Sequence, residues 1–367
     1  MWIEYFTKYM ETAFEGFLQE KAWNYKDDLC FIGSDYLSEV TKDPKWDDYI
    51  LKNSKWLIND DGTIVNWKAG ENNIDKISFG KSLAILWKLT GDSKYKAAVD
   101  KAYDFLKKYP RTETGNFWHK DIYPNQVWLD GLYMAMPFYA QIISETGENK
   151  WDDIIDQFQS ADKLLWDDKL ELYIHGCDVS RSVDWADPVT GRSQSVWLRA
   201  EGWYLMALVD VYEYAVRKTA RAAELKSILE KAVNGLLKYQ DKKTSMFFQV
   251  VDKTEADGNY PETSGSAMAA YALMKGARLG MLSPELWNKG SSIIDGIKDT
   301  YLKKEEDGYH LYGICASAGL GQGPDPHNRK DRDGSLRYYL SEAQMTDNQH
   351  GTGACMMAVS EQLRRLN

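Results

Sequence analysis

A single acid in an apolar setting is the first candidate for chemistry in this 367-residue chain. Asp130 ends the segment 118–130, which carries several aromatic side chains, and it precedes an apolar run over 132–140. A carboxylate at such a place must be paired or used in a reaction, because burying a lone charge is costly. Aromatic rings around one acid are typical of sugar-processing sites, where the rings cover the C–H faces of the sugar.

A second acid stands at a comparable place on the preceding apolar segment. Asp75 opens that segment, so we expect its carboxylate and that of Asp130 to face one another across one rim of the fold. Two close carboxylates raise the pKa of one and leave the other ionised, as acid catalysis requires. Either acid could instead cap a helix N terminus. We place the catalytic role first for Asp130 and leave both roles open for Asp75.

Two histidines and a lysine lie in the loops on either side of the Asp130 segment. His119 and Lys120 precede it, and His175 follows it. A lone histidine is more often a structural hydrogen-bonding group than a catalyst. Because both histidines flank the same apolar helix, we include them among the candidates for substrate binding, together with Lys120 and Trp128.

A cation between two aromatic residues marks another apolar segment. Arg199 lies between Trp197 and Trp203 in the stretch 195–203. A guanidinium group binds a carboxylate through two parallel hydrogen bonds, and the rings would cover the faces of an anionic sugar. The alternative is an arginine paired with Glu201 or with a helix end.

The composition argues against several classes of partner and site. The chain carries 14 Trp and 23 Tyr, and its net charge of -10, with no basic cluster, argues against binding to nucleic acid. The four cysteines are far apart and make no metal-like spacing, so we expect buried free thiols. No cofactor fingerprint occurs, and we predict no cofactor. One group of acidic and histidine residues lacks the spacing of a calcium loop, and we predict no metal site there. The group consists of Asp325, His327, Asp331 and Asp333.

The N-terminal segment and the hydropathy of the chain give an expectation for the cellular compartment of the protein. Residues 1–20 mix charged and apolar side chains and lack the basic and apolar regions of a signal peptide. We therefore expect a cytoplasmic protein, or a periplasmic or secreted one if a leader precedes this sequence in nature. No stretch approaches the roughly 20 apolar residues that span a bilayer, so we expect no membrane segment.

A repeated turn indicates how the chain is organised. The sequences 41–46, 90–95 and 146–151 are variants of one pattern, in which Thr and a Gly or polar break are followed by an acidic or polar first turn. Such a turn ends one helix and opens the next. The repeated unit is therefore predicted to be a helical hairpin.

The helices on the two sides of each turn differ in character. The segments 77–89, 132–143 and 196–212 are apolar on nearly all faces, which predicts buried helices. The segments 94–108, 151–165 and 222–239 carry a single apolar stripe. An inner ring of buried helices inside an outer ring of amphipathic helices accounts for both patterns.

The later segments complete the predicted architecture. A further pair covers 261–280 and 283–303, and a last helix covers 353–366. At about 50 to 60 residues per hairpin, the chain holds six hairpins. We predict an all-α (α/α)6 barrel that forms a single domain over residues 1–367, with its long loops gathered largely on one rim.

The motifs around these residues resemble those of glycoside hydrolase family 105, the unsaturated rhamnogalacturonyl hydrolases. The resemblance covers nearly the whole chain, and the segments that carry it are 119–120, 123–130, 185–188, 202–210, 318–321 and 332–335. It implies an (α/α)6 barrel with Asp130 as the proton donor. The residues that it places around the substrate are Tyr25, Asp75, His119, His175, Trp197, Arg199 and Trp203.

The resemblance also implies a reaction. Polysaccharide lyases leave a double bond between C4 and C5 of the terminal uronate. Protonation of C4 by Asp130 gives an oxocarbenium-like cation at C5, water adds there, and the ionised Asp130 accepts a proton from the water. The hemiketal then opens and releases the neighbouring sugar. The implied substrate is a small anionic oligosaccharide, from pectin rhamnogalacturonan or from ulvan.

Two alternatives stay open at this stage. The same architecture suits an inverting glycosidase, with Asp75 and Asp130 as acid and base about 6.5 to 9.5 Å apart. A different class is a non-catalytic protein that binds an anionic glycan, in which the acids only cap helices. The sequence does not separate pectin from ulvan as the source of the substrate.

Overall fold

The three repeated turns join helices, as their sequences predict. Thr41, Thr90 and Thr146 each end a helix, and each hydroxyl donates to the carbonyl oxygen four residues earlier. The residue after each helix adopts a left-handed conformation, with Gly91 at φ 67° and Gly147 at φ 77°. Because glycine reaches this conformation without a steric penalty, the chain reverses sharply into the next helix.

The computed structural model describes residues 1–13, 24–54, 56–65, 67–68, 70–322 and 331–366. The helices in these ranges are α1 (Trp2–Lys8), α2 (Tyr25–Thr41), α3 (Lys45–Ser54), α4 (Phe79–Thr90), α5 (Ser93–Leu106), α6 (Leu129–Thr146), α7 (Trp151–Leu165), α8 (Leu198–Ala215), α9 (Ala222–Leu236), α10 (Thr263–Arg278), α11 (Glu285–Tyr301), α12 (Leu336–Leu340) and α13 (Gln349–Leu366). Short 3-10 turns cover Ile74–Ile77 and Leu237–Tyr239, and a π-helical turn covers Tyr9–Ala13.

Six of these helices form a closed inner ring. In ring order they are α2, α4, α6, α8, α10 and α13, and α13 packs against α2 to complete the circle. The outer helices α3, α5, α7, α9 and α11 each pack on the inner helix that precedes them in the chain. The sixth outer position is taken by α1, which packs on α13. The predicted (α/α)6 barrel is confirmed.

Short strands fold the loops that precede the inner helices. The strands are β1 (Gln126–Trp128), β2 (Trp166–Asp167), β3 (Leu172–Tyr173), β4 (Gly176–Asp178), β5 (Leu302–Glu305), β6 (Gly308–Leu311), β7 (Ile314–Cys315), β8 (Gly321–Gln322), β9 (Asp331–Arg332) and β10 (Gln344–Met345). They form five antiparallel pairs: β1 with β4, β2 with β3, β5 with β6, β7 with β10, and β8 with β9.

The interior accounts for the cysteines and for the apolar helices. The four cysteines are buried and free, as the sequence predicts. The inner helix α8 is buried along nearly its whole length, whereas the outer helices bury one side. Among the described residues, no helix is both long and apolar enough to cross a bilayer.

Candidate active site

The candidate site lies where the N termini of the inner helices meet the long loops. Strand β1 ends at Trp128, which caps α6, and β4 begins at Gly176. The two residues lie opposite one another in the antiparallel pair, so Asp130 on the first turn of α6 comes close to His175. The backbone N–H of Leu129 donates to the carbonyl oxygen of His175 at 3.1 Å and holds the two segments in register.

Close packing at this strand pair requires a glycine. A Cβ atom on Gly176 would lie 2.9 Å from a ring carbon of Trp128 and 2.8 Å from a methyl carbon of Leu320. Carbon atoms pack at about 3.5 Å or more, so only glycine leaves room for the indole. The ring of Trp128 stacks on His119 at 4.1 Å and on Tyr123 at 4.8 Å between centroids. These three rings form one wall of the site.

Asp130, the acid that the sequence predicts to react, lies beside His175. Oδ2 of Asp130 lies 3.1 Å from Nε2 of His175. Burial raises the pKa of Asp130, but the charge and hydrogen bond of His175 lower this pKa below its ordinary value. The raised pKa that we expected from the sequence is therefore wrong for this arrangement, because the hydrogen-bonding neighbour of Asp130 is an imidazole rather than a carboxylate.

His175 is held from its other side by a tyrosine. Nδ1 of His175 lies 2.6 Å from the hydroxyl of Tyr339, and both side chains are fully buried. A histidine whose two nitrogens are both engaged has a fixed ring orientation. Tyr339, His175 and Asp130 therefore form a continuous hydrogen-bonded chain.

Two loops hold Asp75 against a cation. Asn73 and Lys120 form an antiparallel bridge, and the N–H of Ile74 donates to the carbonyl oxygen of His119 at 3.1 Å. The carboxylate of Asp75 then lies 2.6 Å from Nζ of Lys120 and 3.6 Å from Nε2 of His119. Asn73 is the residue that caps the 3-10 turn, because its side chain accepts from the N–H of Asp75. The carboxylate of Asp75 is thus engaged in an ion pair.

His119 lies between the two acids. Burial lowers the pKa of His119 to about 4, against the opposing charge of Asp75. The charge of Asp130 acts on His119 as well, so the imidazole links the two carboxylates electrostatically. At neutral pH this ring is uncharged and serves as a flat, polar surface.

Arg199 is a buried cation whose hydrogen bonds go to neutral groups. Its side chain is 1% exposed. Nη1 donates to Oγ of Ser264 at 3.1 Å and to the carbonyl oxygen of Cys315 at 2.6 Å, and Nη2 donates to the carbonyl oxygen of Ala316 at 3.3 Å. In the described part of the chain its Nε has no hydrogen-bond partner. A buried guanidinium in this state is a strong site for an anion.

Glu201, which the sequence suggests as a partner for Arg199, makes its hydrogen bond to a different residue. Glu201 accepts a hydrogen bond from the backbone N–H of Tyr173 at 2.6 Å. Burial raises the pKa of Glu201 to about 8, so at neutral pH this side chain is largely protonated. The guanidinium of Arg199 instead lies over the ring of Trp197, at 4.8 Å from the ring centroid.

The other aromatic candidates occupy different depths of the barrel. Trp197 caps α8 with its ring 5.0 Å from that of His175. Trp203 is 1% exposed, and its ring lies 4.9 Å from Tyr133 and 6.2 Å from Tyr25. The sequence places Arg199 between two tryptophans; its guanidinium contacts the ring of Trp197, whereas the ring of Trp203 contacts Tyr133 and Tyr25.

Tyr25 connects the two halves of the site. It is half-buried at the N terminus of α2. Burial raises the pKa of its hydroxyl, and the charges of Asp75, Arg199 and Asp130 also act on that hydroxyl, which places it within their reach. All ten candidates from the sequence lie at this end of the barrel; they are Tyr25, Asp75, His119, Lys120, Trp128, Asp130, His175, Trp197, Arg199 and Trp203.

Sequence reasoning missed Tyr339 and His350. The hydroxyl of Tyr25 lies 3.1 Å from Nε2 of His350, which is on the first turn of α13. The predicted last helix begins at Gly353, whereas the observed helix begins at Gln349, so the prediction leaves His350 outside the helix. The position of a polar residue at the start of an inner helix was the signal that could have identified it.

Two of the four residues considered as metal ligands, Asp331 and Asp333, fall within the described residues. Asp325 and His327 lie outside these residues. Asp333 follows β9, and its carboxylate accepts from the backbone N–H of Ser335 at 2.9 Å, as in an ordinary turn.

Comparisons with known proteins agree on one family. The model of Glycosyl Hydrolase Family 88 matches residues 2–366. Protein Atu3128 of Agrobacterium fabrum (strain C58) is 39% identical over 236 residues, which cover 63% of this chain and 98% of that protein. The unsaturated rhamnogalacturonyl hydrolase YesR of Bacillus subtilis (strain 168) is 24% identical over 328 residues, which cover 84% of this chain and 88% of that protein.

A solved structure extends the agreement to the fold. The glycoside hydrolase from family 105 of C. acetobutylicum ATCC 824 superposes with a TM-score of 0.89 and 41% identity, and the match covers 94% of each chain. The resemblance to family 105 is confirmed. The chain belongs to the glycoside hydrolases of families 88 and 105 and is a hydrolase.

Proposed function

We propose that this hydrolase removes a terminal 4,5-unsaturated uronate from a small anionic oligosaccharide left by a polysaccharide lyase. The observation that carries the proposal is Arg199, a buried guanidinium whose hydrogen bonds within the described residues go to neutral oxygens. Its charge and that of Asp130 both act on the hydroxyl of Tyr25. A substrate carboxylate would pair directly with this guanidinium. The ring of Trp197 and the wall at Trp128 would cover the faces of the sugar.

The reaction that fits this arrangement is hydration of the double bond. Asp130 gives a proton to C4, the positive charge develops at C5 and is shared with the ring oxygen, and water attacks C5. Asp130 then accepts a proton from that water, so one residue serves both steps. The hemiketal opens to a ketone at C5, and the hemiacetal at C1 releases the neighbouring sugar.

A lowered pKa favours the ionised form of Asp130, whereas the proposed reaction begins with the protonated form. Asp130 holds its proton poorly in the protein alone, because His175 stabilises the carboxylate. A bound uronate brings a negative charge and displaces water, and both changes raise the pKa of a nearby carboxyl. We therefore propose that substrate binding loads Asp130 with the proton that it transfers.

The ion pair of Asp75 favours a supporting role over that of a general base. Its two oxygens face Lys120 and His119. A carboxylate whose oxygens are engaged by an ammonium group at 2.6 Å and an imidazole at 3.6 Å is not free to take a proton from water. The inverting glycosidase with Asp75 and Asp130 as acid and base is therefore the second choice. Membership of a hydrolase family leaves the non-catalytic glycan-binding alternative without support.

The sugar next to the unsaturated uronate distinguishes the possible sources of the substrate. Elimination removes the substituent at C4, so galacturonyl and glucuronyl units give the same unsaturated ring. Discrimination between pectin rhamnogalacturonan and ulvan must therefore use the linkage and the sugar next to it. YesR is named for action on unsaturated rhamnogalacturonyl groups, and the likeness supports the pectin fragment as the first substrate to offer.

The role of Arg199 can be tested by Arg199→Lys. Lysine keeps the charge but loses the two-pronged geometry, so substrate binding should weaken by about 1.5 to 3 kcal/mol, the range for a hydrogen bond to a charged group. KM is determined from the loss of double-bond absorbance, with the unsaturated disaccharides that lyases release from rhamnogalacturonan and from ulvan. Arg364→Lys, at the far end of α13 and paired with Glu39, is the matched control. An unchanged KM together with lower thermal stability would remove Arg199 from the site.

A further inference from the structure

The N terminus of α13 fixes the state of a buried histidine. Asn348 precedes this helix, and its Oδ1 accepts from the backbone N–H of His350 at 3.1 Å. A backbone N–H donates only to an acceptor, so this side-chain atom is the amide oxygen. Nδ1 of His350 lies 2.9 Å from the same oxygen. Since two acceptors would repel one another at that distance, Nδ1 carries a hydrogen.

The second ring nitrogen of His350, Nε2, carries no hydrogen. The side chain is 1% exposed. Burial lowers the pKa of His350 well below its ordinary value, and the charges of Arg199 and Lys26 lower it further. The ring is therefore neutral, and a neutral imidazole with a hydrogen on Nδ1 has a lone pair on Nε2.

This lone pair decides where the Tyr25 hydrogen points. The hydroxyl of Tyr25 lies 3.1 Å from Nε2 of His350. A phenol has one hydrogen to donate, and Nε2 is an acceptor in this tautomer. The hydroxyl hydrogen of Tyr25 is thus directed at His350, and only its oxygen lone pairs remain for another partner.

We propose that His350 is a positioning residue: by accepting the hydroxyl hydrogen of Tyr25, it leaves that hydroxyl able only to accept a hydrogen bond from the substrate. Tyr25 then pairs with a ring hydroxyl of the bound sugar and not with its carboxylate. The inference rests on the proposed function, because it orients the uronate in the same pocket. Tyr25 lies within reach of the charges of Arg199 and Asp130. The guanidinium takes the carboxylate of the uronate, and Tyr25 takes a hydroxyl on C2 or C3, the two free hydroxyls of that ring.

The tautomer can be measured without substrate. In the protein labelled with 15N-histidine, one-bond N–H couplings show which nitrogen of His350 carries hydrogen. The signal is assigned by its loss in His350→Gln, or by its shift in Tyr25→Phe if the first variant does not fold. We expect one hydrogen, on Nδ1, at all values between pH 5 and 8. A hydrogen on Nε2, alone or with a second on Nδ1, would overturn the assignment.

The acceptor role can be measured by binding to the inactive variant Asp130→Asn. The ligands are the unsaturated disaccharide and its analogues with fluorine in place of the C2 or the C3 hydroxyl, because fluorine cannot donate a hydrogen bond. We expect one analogue to bind about 2- to 13-fold more weakly than the parent, the range for one neutral hydrogen bond. Adding Tyr25→Phe should weaken binding of the parent by a similar factor and leave that analogue unchanged.

The outcomes separate the two proposals. Tyr239→Phe, which removes a hydroxyl that donates to the carbonyl oxygen of Leu170, is the matched control. If both fluorinated analogues bind as tightly as the parent while Tyr25→Phe weakens binding, Tyr25 acts as a donor and the inference is wrong. If the parent does not bind at all, the proposed function fails and the acceptor role fails with it. The coupling measurement still decides the tautomer of His350 in that case.

Discussion

At the scale of single residues, the contact between Asp130 and His175 governs how the site holds a proton. The imidazole keeps the pKa of Asp130 below its ordinary value although burial acts in the opposite direction. The same imidazole is tied to Tyr339. Asp130 is therefore one member of a three-residue chain, and in the proposed mechanism it gains its proton as the substrate binds.

The variant Asp130→Asn tests the role of this acid. The amide keeps the shape of the side chain but can neither give nor accept the catalytic proton, so kcat should fall by about 10²-fold or more. Circular dichroism and the melting temperature serve as the folding control. Near-normal turnover by a folded Asp130→Asn protein would end the proposed mechanism and favour Asp75 as the acid.

The variant Tyr339→Phe tests the chain behind His175. Losing the hydroxyl leaves Nδ1 of a buried imidazole without its partner and loosens the ring that faces Asp130. We expect kcat to fall by about 2- to 13-fold, the range for one hydrogen bond, with KM little changed because Tyr339 is fully buried. Tyr204→Phe removes another buried hydroxyl, one that donates to the carbonyl oxygen of Phe158, and should lower stability without this effect on kcat. Equal kcat values for both variants would contradict the positioning role.

At the scale of elements, the sequence predicts the hairpins well because their signals are local. The Thr-Gly and Thr-Lys turns appear in the sequence and end the observed helices α2, α4 and α6. The start of α13 was predicted four residues late, since Gly351 and Gly353 have low helix propensity. Packing overrides that propensity: a Cβ on Gly353 would lie 2.4 Å from Cβ of Leu29 in α2, so the glycine allows the two helices to touch.

The missed parts of the site depend on contacts between distant segments. His175 and Tyr339 are 164 residues apart, and Tyr25 and His350 are 325 residues apart. Closure of the inner ring brings them together, and no local pattern records such a pairing. The same reason explains why the pKa of Asp130 was predicted in the wrong direction, because the sequence does not show that His175 lies beside it.

The helix-ending turns make a prediction about stability. Lys42 follows α2 with φ 57°, in the left-handed region that costs a residue with a side chain about 1–2 kcal/mol. Lys42→Gly should raise the free energy of unfolding by about 1 kcal/mol, and Gly147→Ala should lower it by a similar amount. A Cβ at Gly147 meets no atom within 4 Å, so the second effect is purely conformational. Denaturant titration measures both; changes of the same sign would contradict this account.

At the scale of the whole molecule, a protein of net charge -10 is proposed to bind an anion at one end of its barrel. The N termini of the inner helices converge at the site, and each carries the positive end of a helix dipole. Arg199 adds a cation there that is bonded to neutral oxygens, whereas Lys120 is paired with Asp75. Charges elsewhere on the surface are screened over about 8 Å at physiological salt, so the local field decides binding.

Global stability should depend on pH through Glu201. Its ordinary pKa of 4.5 is raised by burial to about 8 in the folded protein. A carboxyl with a raised folded pKa contributes stability that is fully present below about pH 4.5 and is lost as the pH rises towards 8. Glu201→Gln removes this dependence, so the variant should gain a few kcal/mol relative to the parent between pH 5 and pH 8, at about 1.4 kcal/mol per pKa unit.

Urea unfolding at the two pH values measures this difference. Glu230→Gln, an exposed glutamate on α9, is the control and should show no such gain. A constant difference between Glu201→Gln and the parent across this range would mean that Glu201 is ionised in the folded protein, contrary to the burial that we describe.

In the proposed mechanism the double bond, and not the glycosidic bond, reacts first. The most direct measurement compares release of the neighbouring sugar from an unsaturated disaccharide and from its saturated counterpart, with the same linkage and the same enzyme. Hydration at C5 predicts release from the unsaturated compound, with loss of its absorbance at the same rate, and no release from the saturated one. Cleavage of the saturated disaccharide at a comparable rate would contradict the account and identify a glycosidase that uses Asp75 and Asp130 as acid and base.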